Sequence, residues 1–221
     1  MNEAPDLEAP DLELDDAHSL TDLGRYATRA KALDSEAAIR LQADGSVLAA
    51  WVGVLPGSGL LGEGLVLGLR TFALAQPARL DAIVPAAAIT DRTARTPGGR
   101  RLPIPPVRLS PTWTSLTPPR SGWEYAGLAE GDDLAEVARK GLEEISAAVQ
   151  ERGAAAGFTK QSVWGATVSY SSTDAGWLEM SAGVAFAAYT LGFLSPGRPV
   201  QVYRTNRWTR VTGPGGHVLG R

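Results

Sequence analysis

The residues of this 221-residue chain that could carry out chemistry are few, because it has no cysteine and only two histidines. Without cysteine there are no thiol nucleophiles, disulfides or cysteine ligands for zinc and iron–sulfur clusters. A metal site with two histidines from one chain would require His18 and His217 to meet. The remaining carboxylates, hydroxyls and arginines form no spaced motif that identifies a reaction. We therefore expect no cofactor, and we assign no catalytic or metal-binding residue.

One weak enzymatic arrangement is present. His217 follows a glycine-rich turn and could act as a general base for a serine such as Ser121. No nucleophile-elbow sequence accompanies this pair. The glycine-rich stretch 57–64 likewise lacks the Lys-Ser/Thr sequence that completes a phosphate-binding loop. A hydrolase-like enzyme is therefore the least favoured of three functions, and a non-enzymatic protein is favoured.

The two ends of the chain have opposite charge. Residues 1–16 carry seven acidic residues and no basic residue, whereas residues 195–221 carry five arginines and no acidic residue. The planar arginine side chain suits carboxylates and phosphates, and tryptophan and arginine are enriched in interface hot spots. We predict one basic-aromatic contact patch, formed by Arg120, Trp123, Arg207, Trp208, Arg210 and His217. The alternative is that these arginines pair internally with acids such as Glu124 or those of the N-terminal arm.

These features favour a non-enzymatic binding or scaffold protein of unknown partner that self-associates. The partner would be a second copy or another protein. The second function is binding of an anionic ligand or nucleic acid through the C-terminal Arg/Trp patch. Against it, the net charge is −3, the pI is about 5.5, and no known nucleic-acid motif occurs. We expect a cytoplasmic protein that does not contact membranes, because no signal peptide and no stretch of roughly 18 apolar residues is present.

The periodicity of apolar residues predicts an α+β fold with antiparallel sheets, a few packed helices and a C-terminal β-meander. The strands of the N-terminal part follow one another through short connections, which favours antiparallel pairing. Predicted helices cover residues 19–33, 86–95, 133–150 and 182–194. Predicted extended segments cover residues 37–54 with a turn at Asp44-Gly45, 65–75, 80–84, 163–170, 200–204, 207–212 and 217–219.

Two segments indicate which side chains form the core. Alternation in residues 37–54 places Ile39, Leu41, Leu48, Ala50 and Val52 on one face. Residues 133–150 carry an apolar stripe that includes Leu134 and Leu142, after a cap pair of Asp133 and Glu136. The small residues of the 182–194 helix favour close packing in the core over an oligomer interface.

The chain divides by composition into four parts. We predict a mobile acidic arm at 1–15, an N-terminal α+β part at 16–96, a packed Pro-rich connector at 97–124 and a C-terminal α+β part at 125–221. The connector contains seven prolines together with two tryptophans, so we expect it to pack along the body, with one helical turn after Ser110-Pro111.

Short stretches spread along the chain carry a family resemblance. They cover residues 15–18, 67–70, 84–86, 117–123, 183–188, 191–194, 208–210 and 216–219. In these stretches the chain resembles an uncharacterised family of proteins from high-GC actinobacteria. The resemblance implies a cytoplasmic protein that forms a single architectural unit. It implies no activity and transfers no catalytic residue.

Overall fold

The computed structural model of the protein describes residues 11–59, 61–153 and 157–221. The chain divides into two compact units, residues 1–50 with 71–111 and residues 51–70 with 112–221. This differs from the single unit that the family resemblance implies. The described residues contain helices and strands in both units, and the strand pairs are antiparallel. The predicted α+β class is therefore confirmed.

The first unit contains two helices that pack on each other, α1 (Ala17–Leu33) and α2 (Ala86–Arg95). Helix α1 begins two residues before the predicted start at Ser19, because Asp16 accepts a hydrogen bond of 2.7 Å from the Ser19 N–H and is the N-cap. Gly24 permits the close approach of α2, since a Cβ there would lie 2.6 Å from the Thr93 hydroxyl.

Two short strands, β1 (Leu12–Glu13) and β4 (Arg101–Leu102), pair in the first unit. Leu12 and Leu102 are buried opposite each other, and Asp11 and Arg101 form an ion pair. The predicted acidic arm lies outside the described residues up to Pro10. Its remaining residues, 11–15, belong to the fold.

Two long extended stretches, β2 (Ala38–Ser58) and β3 (Glu63–Pro85), contribute residues to both units. Five residues of the predicted core face are at most 1% exposed: Ile39, Leu41, Leu48, Ala50 and Val52. Gly45 has φ +62° within an exposed run, but β2 is extended through Asp44-Gly45 and Asp44 lacks a positive φ, so the predicted two-residue turn is not observed. The predicted strands 65–75 and 80–84 both lie within β3.

The second unit is built on antiparallel strands. Its own strands are β5 (Glu124–Glu130), β6 (Thr167–Ser172), β7 (Gly176–Ser181), β8 (Pro199–Thr205), β9 (Trp208–Gly213) and β10 (Gly216–Gly220). The sheet order is β2-β3-β10-β9-β8-β5-β6-β7. Val202 pairs with Val211, and Val211 pairs with Val218. The predicted C-terminal meander is confirmed.

Three helices belong to the second unit: α3 (Gly131–Arg152), α4 (Gly157–Gly165) and α5 (Ala182–Thr190). Helix α3 ends at its C-cap Gly153, which has φ +57°. The N-cap of α3 is Glu130, so the predicted cap at Asp133 is wrong. Leu134 is fully buried, whereas Leu142 is 38% exposed. Residues Ala182–Ala188 of α5 are all buried, which confirms the core interpretation of its small residues.

The predicted extended segment 163–170 is partly wrong, because its first residues belong to α4 and the strand begins at Thr167. The helical part is stabilised by a contact that local sequence does not reveal. Trp164 is 3% exposed and stacks on Phe186 of α5, with ring centroids 4.3 Å apart. It also covers Gly141 of α3, where a Cβ would lie 2.3 Å from the indole ring.

The Pro-rich segment contributes to each unit's core. Leu102 and Ile104 are buried in the first unit. In the second unit, a single 3₁₀ turn covers Thr112–Ser115, which confirms the predicted helical turn. Within the described ranges, no helix is both long and apolar enough to cross a membrane.

Candidate functional site

The C-terminal meander places several predicted patch residues on one face of the sheet. Arg210 of β9 lies between Tyr203 of β8 and Leu219 of β10 in the strand register. Thr212 lies two residues after Arg210 on β9 and pairs with His217 of β10. Because side chains alternate along a strand, Trp208, Arg210 and Thr212 share a face.

Trp208 is part of the core on this face. It is 5% exposed and forms a buried cluster with Leu65, Leu67 and Leu219. Partly buried side chains cover this cluster, namely Trp51, Leu69, Trp113, Leu116 and Trp123. Four of the six tryptophans therefore belong to one packed group. Trp208 can support a surface from beneath but offers little area for direct contact.

Arg210 lies between two aromatic rings. Its guanidinium carbon is 4.8 Å from the Trp123 ring centre and 4.3 Å from the Tyr203 ring centre. Its Nε atom is buried and has no hydrogen-bond partner among the described residues. Cation–π attraction holds such a side chain where a carboxylate is absent. The indole N–H of Trp123 donates to the Pro119 carbonyl oxygen at 3.0 Å, which fixes the ring's position.

His217 is held beside Thr212, with 3.0 Å between the ring Nδ1 and the threonine Oγ1. Burial lowers the pKa of His217, and the positive charge of Arg210 lowers it further. The imidazole is therefore neutral at pH 7. Its hydroxyl partner is Thr212 and not Ser121, the serine considered in the sequence analysis.

The two remaining patch residues, Arg120 and Arg207, are exposed. Among the described residues, neither forms an ion pair with a carboxylate. The structure thus brings Trp123, Trp208, Arg210 and His217 to one region of the sheet. Arg207 lies in the turn between β8 and β9 and lines a neighbouring groove together with Trp208.

That groove has a volume of about 330 Å³. One side is formed by Glu179–Ser181 of β7, and the other by Arg204, the turn residues 206–207 and the first two residues of β9. Thr167 completes the lining. Arg204 donates a hydrogen bond of 2.8 Å to the Glu179 backbone carbonyl oxygen. The sequence alone does not reveal this groove, because its two sides are brought together only by the fold. The exposed Arg204 and Arg207 were its one sequence signal.

A second polar cluster lies at the start of β5. The Tyr125 hydroxyl donates to Asp174 at 2.6 Å, and Asp174 also accepts from the Leu128 N–H at 2.9 Å. The hydrogen bond with Asp174 raises the pKa of Tyr125 to about 12, and the same bond lowers the pKa of Asp174. These contacts hold the β6–β7 turn against β5. Among the described residues, no group of three or more His, Asp or Glu side chains could hold a metal ion.

In comparison with known proteins, both parts of the chain are similar to uncharacterised domains. Residues 8–115 match the model of a domain of unknown function, DUF8010, and residues 118–221 match that of another, DUF8185. No curated protein matches the chain. These matches support the predicted resemblance to uncharacterised proteins, while an actinobacterial source stays a prediction.

Solved structures with a similar fold are bacterial sliding clamps. A putative DNA polymerase III beta subunit from Eubacterium rectale is 12% identical with a TM-score of 0.54, and it covers 96% of this chain. The DNA polymerase sliding clamp of Caulobacter crescentus is 11% identical with a TM-score of 0.53. The clamp of Bartonella birtlesii is 11% identical with a TM-score of 0.51. The chain spans only 64–65% of the length of these clamps. At this identity, the likeness establishes a sliding-clamp-like fold.

Proposed function

We propose that this chain is a non-enzymatic binding or scaffold protein that self-associates. The observation that carries the proposal is the open edge of the sheet at β7. Among the described residues, β7 is the last strand in the sheet order, and its Trp177 is 72% exposed. An exposed edge strand is a template for pairing with another chain, and proteins usually protect such edges with lysine, proline or a covering element. β7 contains neither lysine nor proline.

The direction of the free backbone groups follows from one hydrogen bond. The Ala182 N–H donates to the Ala166 carbonyl oxygen at 2.8 Å. The backbone groups of Ala182 therefore point toward the chain that leads into β6. Backbone groups alternate in direction along an antiparallel strand, so those of residues 177, 179 and 181 point away from β6. The Glu179 carbonyl oxygen already accepts from Arg204 at 2.8 Å, so a partner strand would pair with the outward N–H groups of residues 177, 179 and 181 and replace Arg204 at that carbonyl.

The similar fold supports the class of function. The solved structures it resembles are named a DNA polymerase III beta subunit and a DNA polymerase sliding clamp. Their partners are not transferred by a likeness at this identity. The edge strand of this chain independently favours a scaffold that binds other proteins, including its own copies.

The basic-aromatic patch is the proposed surface for a further protein partner. Arg120 and Arg207 supply exposed charge, and Arg210, Trp123 and His217 lie next to the buried cluster around Trp208. A rigid aromatic base with exposed arginines at its margin is a common composition for protein interfaces. The patch favours an acidic protein surface.

Nucleic-acid binding is the second candidate, and charge disfavours it. The stretch 124–152, which includes all of α3, carries eight acidic residues and three basic residues. A phosphate backbone would be repelled by this surface, whereas the five C-terminal arginines would attract it. An anisotropy titration with labelled single-stranded and duplex DNA at low salt separates the two candidates. We expect no saturable binding. Binding that weakens with salt and is lost in Arg207→Ala would instead favour nucleic acid.

A further inference from the structure

The groove beside β7 combines two kinds of recognition. Its β7 side presents the outward N–H groups of Glu179 and Ser181, and its other side presents the side chains of Arg204 and Arg207, of which Arg204 already donates to the Glu179 carbonyl oxygen. Backbone groups on a strand edge bind an extended segment, and guanidinium groups bind carboxylates. A segment that is both extended and acidic fits this combination.

The charge in the groove favours an acidic occupant. Arg204 and Arg207 carry two positive charges, and Glu179 carries the one acidic side chain that lines the groove. Among the described residues, neither arginine is ion-paired with a carboxylate, and Arg204 donates only to a backbone carbonyl. An added carboxylate would neutralise the remaining positive charge without displacing an existing ion pair.

The chain itself contains a segment of this chemistry. Residues 1–10 carry Glu3, Asp6 and Glu8 and no basic residue. Between Pro5 and Pro10 lie four residues, Asp6–Ala9, that retain every backbone N–H. Proline removes a ladder donor, so this stretch is the part able to pair with a strand edge. Four residues suffice to span positions 179–181, and the apolar side chains of Met180 and Trp208, 3% and 5% exposed, lie beneath the groove.

We infer that the groove between β7 and the β8–β9 turn binds the acidic segment Asp6–Ala9 of a second copy of this chain. The inference rests on the proposed self-association and names the segment that takes part in it. The segment's backbone pairs with the edge of β7 and replaces Arg204 at the Glu179 carbonyl oxygen, and the carboxylates of Asp6 and Glu8 pair with Arg204 and Arg207.

Full-length variants test this assignment. One variant neutralises the segment (Glu3→Gln, Asp6→Asn, Glu8→Gln) and one removes the groove charge (Arg204→Ala, Arg207→Ala). Sedimentation equilibrium of each variant alone should show a dissociation constant raised about tenfold or more, because two charge-assisted contacts are lost. A mixture of the two variants should associate more tightly than either alone, since one chain keeps the groove and the other keeps the segment. Arg198→Ala, which removes an exposed arginine outside the groove, should behave as wild type.

A labelled peptide of residues 1–10 gives an independent measurement. It should bind the segment-neutralised variant and fail to bind the groove variant, whose folding is checked by its circular dichroism melting curve. The inference is overturned if the peptide does not bind, if a scrambled acidic peptide binds equally well, or if the mixture is no tighter than the separate variants. If wild type self-associates while the peptide fails, the inference falls and the proposed function stands. If wild type stays monomeric, the proposed function itself falls.

Discussion

The guanidinium carbon of Arg210 lies 4.8 Å from the centre of the Trp123 ring, and Tyr203 covers its other side at 4.3 Å. This arrangement makes Arg210 a structural side chain as well as a charged one. Its neighbour along the chain, Arg207, is exposed and has no aromatic contact among the described residues. The two arginines of the patch should therefore respond differently to substitution.

Replacing Arg210 with alanine should lower the free energy of unfolding by about 1–2 kcal/mol, because two cation–π contacts and the packing of the side chain are lost. Arg207→Ala should change it by less than about 0.5 kcal/mol, as expected for an exposed site. Urea unfolding of both variants provides the comparison. Equal midpoints for the two would contradict the structural role of Arg210.

Gly141 of α3 should tolerate no larger residue. A Cβ at this position would lie 2.3–2.5 Å from ring atoms of Trp164, which is held by its stacking on Phe186. Alanine would otherwise favour the helix by roughly 0.5–1 kcal/mol. We expect the clash to outweigh this gain, so that Gly141→Ala lowers the melting temperature. Ser146→Ala, at an exposed position of the same helix, is the matched control and should leave it unchanged or slightly raised. A stabilised Gly141→Ala protein would show that Trp164 does not pack there.

Leucines of α3 should differ according to their burial. Leu134 is fully buried, and Leu134→Ala should cost about 2–5 kcal/mol through lost transfer free energy and a cavity. Leu142 is 38% exposed. The sequence pattern alone predicts the same large cost for Leu142→Ala, but at this exposure we expect less than about 2 kcal/mol. Chemical unfolding of both variants measures the difference, and a larger loss for Leu142 would contradict the packing of the helix.

Protonation of His217 should destabilise the protein in mild acid. Its pKa is lowered in the folded state by burial and by Arg210, so the unfolded chain binds the proton more readily. The stabilisation is complete above the ordinary histidine pKa of about 6.5 and is lost as pH falls from that value through the lower pKa of the folded protein. One such group contributes a slope of at most about 1.4 kcal/mol per pH unit.

Unfolding free energies measured between pH 7.5 and pH 5 test this dependence. His217→Gln should flatten the decline relative to wild type. An unchanged slope in His217→Gln would show that another group is responsible.

Much of the fold could be predicted where local patterns agree with tertiary packing. The alternation of Ile39 and Leu41 identified a face that is buried, and the turn residues of the C-terminal meander separated its strands. Helix α4 could not be predicted, because its burial depends on Trp164 reaching Gly141 and Phe186 elsewhere in the chain. Periodicity also overestimated the burial of Leu142.

The candidate site shows the same limit. Composition identified Trp123, Arg210 and His217 as candidate patch residues. It did not indicate the burial of Trp208, because that burial depends on strand neighbours distant in sequence. The groove at β7 was missed because its two sides meet only in the folded sheet. The predicted division at residues 15, 96 and 124 stays a prediction, and limited proteolysis with mass spectrometry of the fragments would test it.

Sedimentation equilibrium of the full-length protein over a wide concentration range, at low and moderate salt, tests the central claim of self-association most directly. The monomer mass is 23.2 kDa. The account predicts a mass that rises with concentration toward at least twice that value, with weaker association at higher salt because exposed charges are screened. A mass of one chain at every concentration and at low salt would contradict it.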